Sequence, residues 1–289
     1  MSEPRLEVKK TYKLFIAGAF PRSESGRSYV VESHDGRFLA NVAWASRKDV
    51  REAVVAARAA LSKWSAATAY NRGQVLYRVA ELLEDRRDQF VAAVRDAEGA
   101  TQRSASAQVA ASIDLWVWYA GWTDKVAQVA GSSNPVAGPY FNFSVPEPTG
   151  VVGIVAPTDS SLLGLVAVVA PVVATANTVI VVADERRPLP AVTLTEVLAT
   201  SDVPGGVVNL LTGPVDELAP VLAAHRDVDG LDLAGAPGEA AGALEAAGAT
   251  NIKRVARPAP VGFDWSKDPG TSRLLRFVET KTVWHPIGI

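Results

Sequence analysis

Cysteine is absent from all 289 residues. The chain therefore has no thiolate nucleophile, no disulfide and no thiolate metal site. Its three histidines, His34, His225 and His285, stand far apart in sequence, a pattern that suits surface or packing residues better than a metal site. The carboxylates with suggestive neighbours are few. Asp159 sits in Ala156-Pro-Thr-Asp-Ser-Ser, directly after Pro157 and Thr158. Asp184 and Glu185 are adjacent and run into Arg186 and Arg187. That arginine pair reads as solvated charge at a helix entry rather than as a phosphate clamp. Gly235 and Gly238 bracket a turn ahead of a helix. A helix N-terminus there would favour an anion; close strand–helix packing would need the same glycines. Trp116, Trp118 and Trp122 share one expected helix and read as packing residues rather than a ligand box.

Composition narrows the classes. Charged residues are 21%, hydrophobic residues 48% and the net charge −2, an ordinary globular balance with no basic block to meet a phosphate backbone, so nucleic acid is not expected as a partner. The longest apolar run, Leu162 to Ala176, is too short for a bilayer span and contains Pro171, so a buried core helix is expected and no membrane association. The opening MSEPRLEVKK carries no apolar signal segment, which places the expected location in the cytoplasm.

The elements that must position these groups follow a clear order. Residues 1–12 read as a loose leader, and Lys13 to Val31 as short strands and turns around Gly18, Pro21 and Gly26. Four helices are expected next. Ser46 and Asp49 form an N-terminal cap, and Val50, Ala53, Val54, Ala57, Leu61 and Trp64 recur at helical spacing. The second helix spans about Tyr70 to Leu83, the third about Asp88 to Gly99, and the fourth carries Val109 to Ala120. Prolines 135, 139, 146 and 148 then bracket Tyr140-Phe-Asn-Phe-Ser-Val, which reads as an exposed strand, one arm of a hairpin. From Gly150, apolar strands beginning at Val151, Thr178, Val207 and Gly230 alternate with helices. Near-continuous apolar strands separated by helices mean a parallel sheet covered on both faces, a doubly wound Rossmann-type α/β domain. Val255 to Thr271 is rich in proline and glycine and reads as loop, and Leu274 to Trp284 resumes strand-like alternation.

Several segments in this order resemble the aldehyde dehydrogenase superfamily. They are Lys13-Leu-Phe-Ile-Ala-Gly, the helix Asp49 to Trp64, Tyr119-Ala-Gly-Trp-Thr-Asp-Lys, Glu147-Pro-Thr-Gly-Val-Val-Gly-Ile-Val-Ala-Pro, Asn177-Thr-Val, Pro204-Gly-Gly-Val-Val-Asn-Leu-Leu-Thr-Gly and Asn251-Ile-Lys-Arg-Val. The resemblance implies an NAD-binding Rossmann domain over residues 1–135 and 149–255, and oligomerisation elements at 136–148 and 272–289. A linker at 256–271 stands where the family continues into its catalytic domain. After Arg254-Val the chain has Ala256-Arg-Pro-Ala-Pro, then Arg273-Leu-Leu-Arg-Phe-Val-Glu-Thr-Lys-Thr-Val-Trp, which resembles the family's final strand.

Family chemistry needs a thiolate nucleophile, an oxyanion donor and a base. By resemblance Asp159 stands at the donor asparagine, where an ionised carboxylate would repel the oxyanion, and no residue matches the nucleophile or the base. The resemblance implies cofactor positions at Pro157, Val182, Glu185 and Gly235. Val182 replaces a ribose-contacting lysine and Glu185 is retained; beside Asp184 it would disfavour a 2′-phosphate, so a dinucleotide, if bound, should be NAD, and weakly. The expectation is a catalytically inactive subunit that assembles with a full-length aldehyde dehydrogenase as a structural or regulatory partner. Its interface residues would be Tyr140, Phe141, Phe143, Val283 and Trp284. The alternatives are an NAD-binding module or sensor, and an oxidoreductase using Asp159 or Glu185 as acid–base group.

Overall fold

The computed structural model describes residues 10–288. Three short strands open it: β1 (Thr11–Tyr12), β2 (Ser28–Glu32) and β3 (Phe38–Ala43), in sheet order β1-β3-β2. The leader is thus shorter than expected, because Thr11 and Tyr12 pair parallel with Asn41 and Val42. Residues 1–9 of that leader lie outside the described residues. Four helices follow: α1 (Arg47–Ala66), α2 (Ala69–Asp85), α3 (Arg87–Glu98) and α4 (Gln102–Trp122). The Ser46 side chain accepts from the Lys48 and Asp49 amides, while Asp49 accepts from the Ser46 amide at 2.6 Å. Together they satisfy donors that helix geometry leaves free at an N-terminus. A short α5 (Val126–Ala130) leads into the arm strands β4 (Ser132–Asn134) and β5 (Tyr140–Pro148).

The second half alternates as the pattern requires: β6 (Val151–Val155), α6 (Leu163–Ala174), β7 (Thr178–Val182), α7 (Leu189–Thr200), β8 (Val208–Leu211), α8 (Val215–Ala224), β9 (Gly230–Asp232), α9 (Gly238–Gly248) and β10 (Arg254–Ala256). The strands form one five-stranded parallel sheet, order β10-β9-β6-β7-β8. All residues of β6 to β9 are buried, since helices cover both faces. One face packs on α2, α4, α6 and α7, and every residue of α6 is buried. The other face packs on α1, α8 and α9. The chain runs outward from β6 through β7 and β8, then returns to lay β9 on β6's other side. The order therefore reverses between β6 and β9, and the carboxyl ends of those strands flank the crevice where doubly wound sheets bind ligands.

The last strand, β11 (Val278–Pro286), pairs antiparallel with β5 over their full nine-residue lengths, Val278 opposite Pro148 through Pro286 opposite Tyr140. β5 is one arm of a hairpin with β4, as expected, and β11 adds to its other edge, which makes it the centre of a three-stranded sheet, order β11-β5-β4. The strand expected from Leu274 starts at Val278; Leu274 and Phe277 are buried in turns before it. Among the described residues no helix is long and apolar enough to cross a membrane.

Candidate functional site

β6 ends at Val155, and Ala156-Pro-Thr-Asp carries the chain away from the sheet edge. Opposite, β9 ends at Asp232 and Leu233-Ala-Gly-Ala-Pro-Gly turns into α9. The Gly235 amide donates to the Val155 carbonyl at 3.0 Å. A Cβ on Gly235 would sit 1.8 Å from the Ala156 oxygen and 3.0 Å from the Pro157 Cα. Backbone meets backbone here, so this glycine serves close packing at the strand ends. Gly238 has nothing within 4 Å of an added Cβ.

A cleft of about 370 Å³ lies beside this contact, lined by Thr158, Asp184, Glu185, Arg186, Arg187, Val215, Gly235 and Pro237. It brings together two of the four expected cofactor positions, Glu185 and Gly235. Glu185 is exposed at the rim. Asp184 is buried and held by its own neighbours, accepting from Arg187 Nε at 2.9 Å and from the Arg186 amide at 3.2 Å. Burial, then the negative field of Glu185 and Asp184, pushes the nearby Tyr29 phenol well above its ordinary pKa. The other two expected positions face the interior. Pro157 is buried, and Val182 is fully buried in the core with Val155, Ile180 and Leu211. Val182 presents no polar group to the cleft; the side-chain donors that line it are the Thr158 hydroxyl and the Arg186 and Arg187 guanidinium groups, with Arg187 already engaged by Asp184.

Asp159 is exposed on the β6–α6 connection, and the Trp265 indole Nε1 donates to its Oδ1 at 2.9 Å. Sequence reasoning misses this contact, because Trp265 lies in the proline- and glycine-rich stretch that reads as loop. Trp265 is only 6% exposed and packs edge-on against Phe263 at 4.8 Å. The Arg273 guanidinium lies 5.0 Å from the Phe263 ring centre and 4.7 Å from that of Trp265. Arg276 Nη1 stands 3.7 Å from Oδ2 of Asp232, a buried carboxyl whose pKa burial raises and Arg276 partly offsets. Two aromatics two residues apart within a Pro/Gly stretch were the available signal.

The third constellation is the arm. Trp284 is 59% exposed, Phe141 49% and Tyr140 43%, while Phe143 and Val283 are half-buried and face each other across the strands. Tyr140 and Trp284 meet edge-on at 5.7 Å, and Phe141 and Phe143 lie 5.3 Å apart. None of the five joins either buried core. Asn142, at the centre, is buried and accepts from Asn134 Nδ2 at 2.6 Å. Among the described residues no three His, Asp or Glu side chains are placed to hold a metal ion.

Sequence and fold both match known proteins. The family model described as "Aldehyde dehydrogenase family" matches residues 20–257. Human retinal dehydrogenase 2 is 34% identical over 259 residues, covering 87% of this chain and 49% of that protein. A mitochondrial aldehyde dehydrogenase of Arabidopsis thaliana, family 2 member B4, is 32% identical over 256 residues, with 87% and 47% covered. Among solved structures, an aldehyde dehydrogenase from Bacillus cereus in complex with NAD+ superposes with a TM-score of 0.80 at 26% identity, covering 85% of this chain and 50% of that one. HpcC from Thermus thermophilus gives 0.81 at 31% identity, with 85% and 47% covered. The chain thus spans about half the length of the relatives it matches.

Proposed function

The chain belongs to the aldehyde dehydrogenase family, and on that premise we propose that it is a catalytically inactive member that assembles with a full-length aldehyde dehydrogenase as a structural or regulatory subunit. The observation that carries this reading is the arm. Among the described residues β11 leaves one long edge of a three-stranded sheet unpaired, and both faces of that sheet bear aromatic side chains outside the chain's own core. Alternation puts Tyr140 and Trp284 on one face and Phe141, Phe143 and Val283 on the other. An open nine-residue edge with exposed aromatics is a template for strand addition and an aggregation hazard until a partner covers it. A second copy would bring a second open edge. A full-length relative would bring the half that this chain does not match.

Inactivity is supported by the chemistry. No thiol is present in the 289 residues, and Asp159, at the donor position implied by the family, is a carboxylate engaged with Trp265. Restoring asparagine there with Asp159→Asn leaves the nucleophile and base roles empty, so no aldehyde oxidation should appear with NAD or NADP.

The test is purification from the source organism with mass analysis of what accompanies the chain, repeated with Trp284→Ala and with residues from Thr280 removed. Retention of a dehydrogenase by the intact chain and its loss by both variants, with the helical signal unchanged, supports the proposal. An intact chain that elutes alone beside every dehydrogenase of its host ends it. The second reading, an NAD-binding module, draws on the cleft where Glu185 meets Gly235. Calorimetric titration with NAD separates the two: a micromolar dissociation constant, weakened by Glu185→Ala and not by Arg226→Ala, favours the module.

A further inference from the structure

The family match ends at residue 257. The segment that follows, before the strand-like end of the chain, is not free loop. Residues 258–277 leave β10 and cross the carboxyl ends of β9 and β6 before rejoining the arm at β11. The Ala259 amide donates to the Ala234 carbonyl at 3.1 Å, just past β9. Trp265 then reaches Asp159, just past β6. Arg276 faces Asp232, and Phe277 closes against Gly230, where an added Cβ would come within 2.7 Å of its ring. Trp265, Leu274 and Phe277 sink into the same cluster as Trp116 and Tyr119 of α4. The segment therefore packs on β9 through Phe277 and Arg276, on the side of the sheet where α6 packs on β6 and β7.

Its apolar anchoring contrasts with its sparse hydrogen bonding. Apart from the Ala259 bond and the Phe277 carbonyl, which accepts from Thr149 and Asn177, its backbone bonds are local turns: Phe263 to Pro260, Lys267 to Asp264, Leu275 to Thr271, Arg276 to Arg273. Val261, Lys267 and Asp268 point to solvent. Segments held by side chains and few backbone bonds open before the sheets they cover.

We infer that residues 258–277 form a resident plug over the crevice between the ends of β6 and β9, latched by Trp265 on Asp159, which opens as a local unit and keeps solutes of nucleotide size away from Ala156 and the buried end of β6 beneath. The inference does not rest on the partner reading; a plug of this kind would close a monomer as well as a subunit.

The absence of cysteine makes the test direct. Ala156→Cys places a single thiol at the carboxyl end of β6, in the same buried cluster as Trp265, and Ala223→Cys places one in the core on the opposite face, where Ala223 is fully buried. Each is treated with dithiobis(nitrobenzoate), an aromatic anion close to a nucleotide in size, with and without Trp265→Phe, which keeps a ring and removes the N–H. Rates are scaled to the unfolded chain. The thiol at 156 should react far more slowly than in unfolded protein, and Trp265→Phe should accelerate it about tenfold, the shift expected from about 1.4 kcal/mol of lost hydrogen bond to a carboxylate. The thiol at 223 should not change. Equal acceleration at both positions would make the segment part of the cooperative core, and no acceleration at 156 would remove the latch; either overturns the inference. If Ala156→Cys does not fold, tryptic cleavage after the half-buried Arg273 in Trp265→Phe alone reads the same opening: faster cleavage with an unchanged far-ultraviolet signal supports the plug, and an unchanged rate overturns it.

Discussion

Gly235→Ala should unfold this protein more easily, whereas Gly238→Ala, only three positions later, should do the opposite. At Gly235 the new Cβ would lie 1.8 Å from the Ala156 oxygen and 2.5 Å from its carbonyl carbon. Those are backbone atoms of the neighbouring strand end, so no rotamer relieves the overlap. The ends of β6 and β9 must part by more than an ångström, which strains the Gly235 amide bond to Val155 as well. Overpacking of this kind costs about 1–3 kcal/mol, and a weakened buried hydrogen bond adds about 1 kcal/mol. The lower entropy of an unfolded alanine returns roughly 0.4–1 kcal/mol. The net is a loss of about 2 kcal/mol by those terms. At Gly238, the first residue of α9, an added Cβ meets nothing within 4 Å. Only the unfolded-state term and helix propensity operate there, a gain of up to about 1 kcal/mol. Urea unfolding followed by circular dichroism reads both. With a slope of about 3 kcal/mol per molar, the midpoint should fall by roughly 0.7 M for Gly235→Ala and rise by up to about 0.3 M for Gly238→Ala. A neutral or stabilising Gly235→Ala would refute the close packing assigned to that turn.

Three further outcomes are expected. Asn177→Ala removes a fully buried side chain that accepts from the Gly150 amide at 2.8 Å and donates to the Phe277 carbonyl at 2.9 Å; denaturant unfolding should register a loss of roughly 2–4 kcal/mol, and a loss below half of that would show water taking over these bonds. Burial holds the His225 imidazole below its ordinary value of 6.5, with Lys253, Arg51 and Arg58 helping and Asp227 opposing. Between that lowered folded pKa and about 6.5 the unfolded chain binds more protons, so this contribution is full above the window and fades as pH drops through it. His225→Gln should flatten that part of the urea-midpoint profile, and an unchanged acid limb would contradict the assignment. Trp284→Ala in the isolated chain should shift stability by no more than about 1.5 kcal/mol, the upper end for an aromatic pair, because the ring is 59% exposed and touches Tyr140; a larger loss would place Trp284 in the fold rather than at a surface awaiting a partner.

Periodic and capped elements were readable in the sequence, and elements fixed by distant contacts were not. Helix α2 spans Ala69–Asp85, within two residues of the expected Tyr70 to Leu83 at each end, and Ser46 caps α1 with Asp49 as its pattern implies. Those signals lie within one turn of chain. β3 went unread although Asp35-Gly36 ahead of it is a hairpin signal, and Gly36 takes a left-handed φ of 82°. The arm strand was legible from its alternation, but its central place in a sheet depends on β11, which lies beyond the whole parallel domain. At the candidate site, the resemblance pointed to Asp159, Glu185 and Gly235, and the structure puts the latter two in one cleft. Trp265 escaped notice because the segment around it has no period, and nothing local says that an indole in a loop will reach a carboxylate 106 positions earlier.

Timing follows from how the arm is closed. An ion pair across its ladder joins Glu147 and Lys281, 134 positions apart, and the parallel domain and residues 258–277 lie between them. A flexible loop of that length would oppose closure by about 4 kcal/mol beyond the fixed constant, more than a two-stranded ribbon supplies alone in water. Once the domain has condensed, Asn177 holds the Phe277 carbonyl beside the start of β6 and delivers β11 to β5 already in register. The completed arm thus forms after the parallel domain that lies between its two long strands. An unfinished or misfolded copy would display β5 without β11, so a partner that grips the completed ladder is at the same time an inspector of folding.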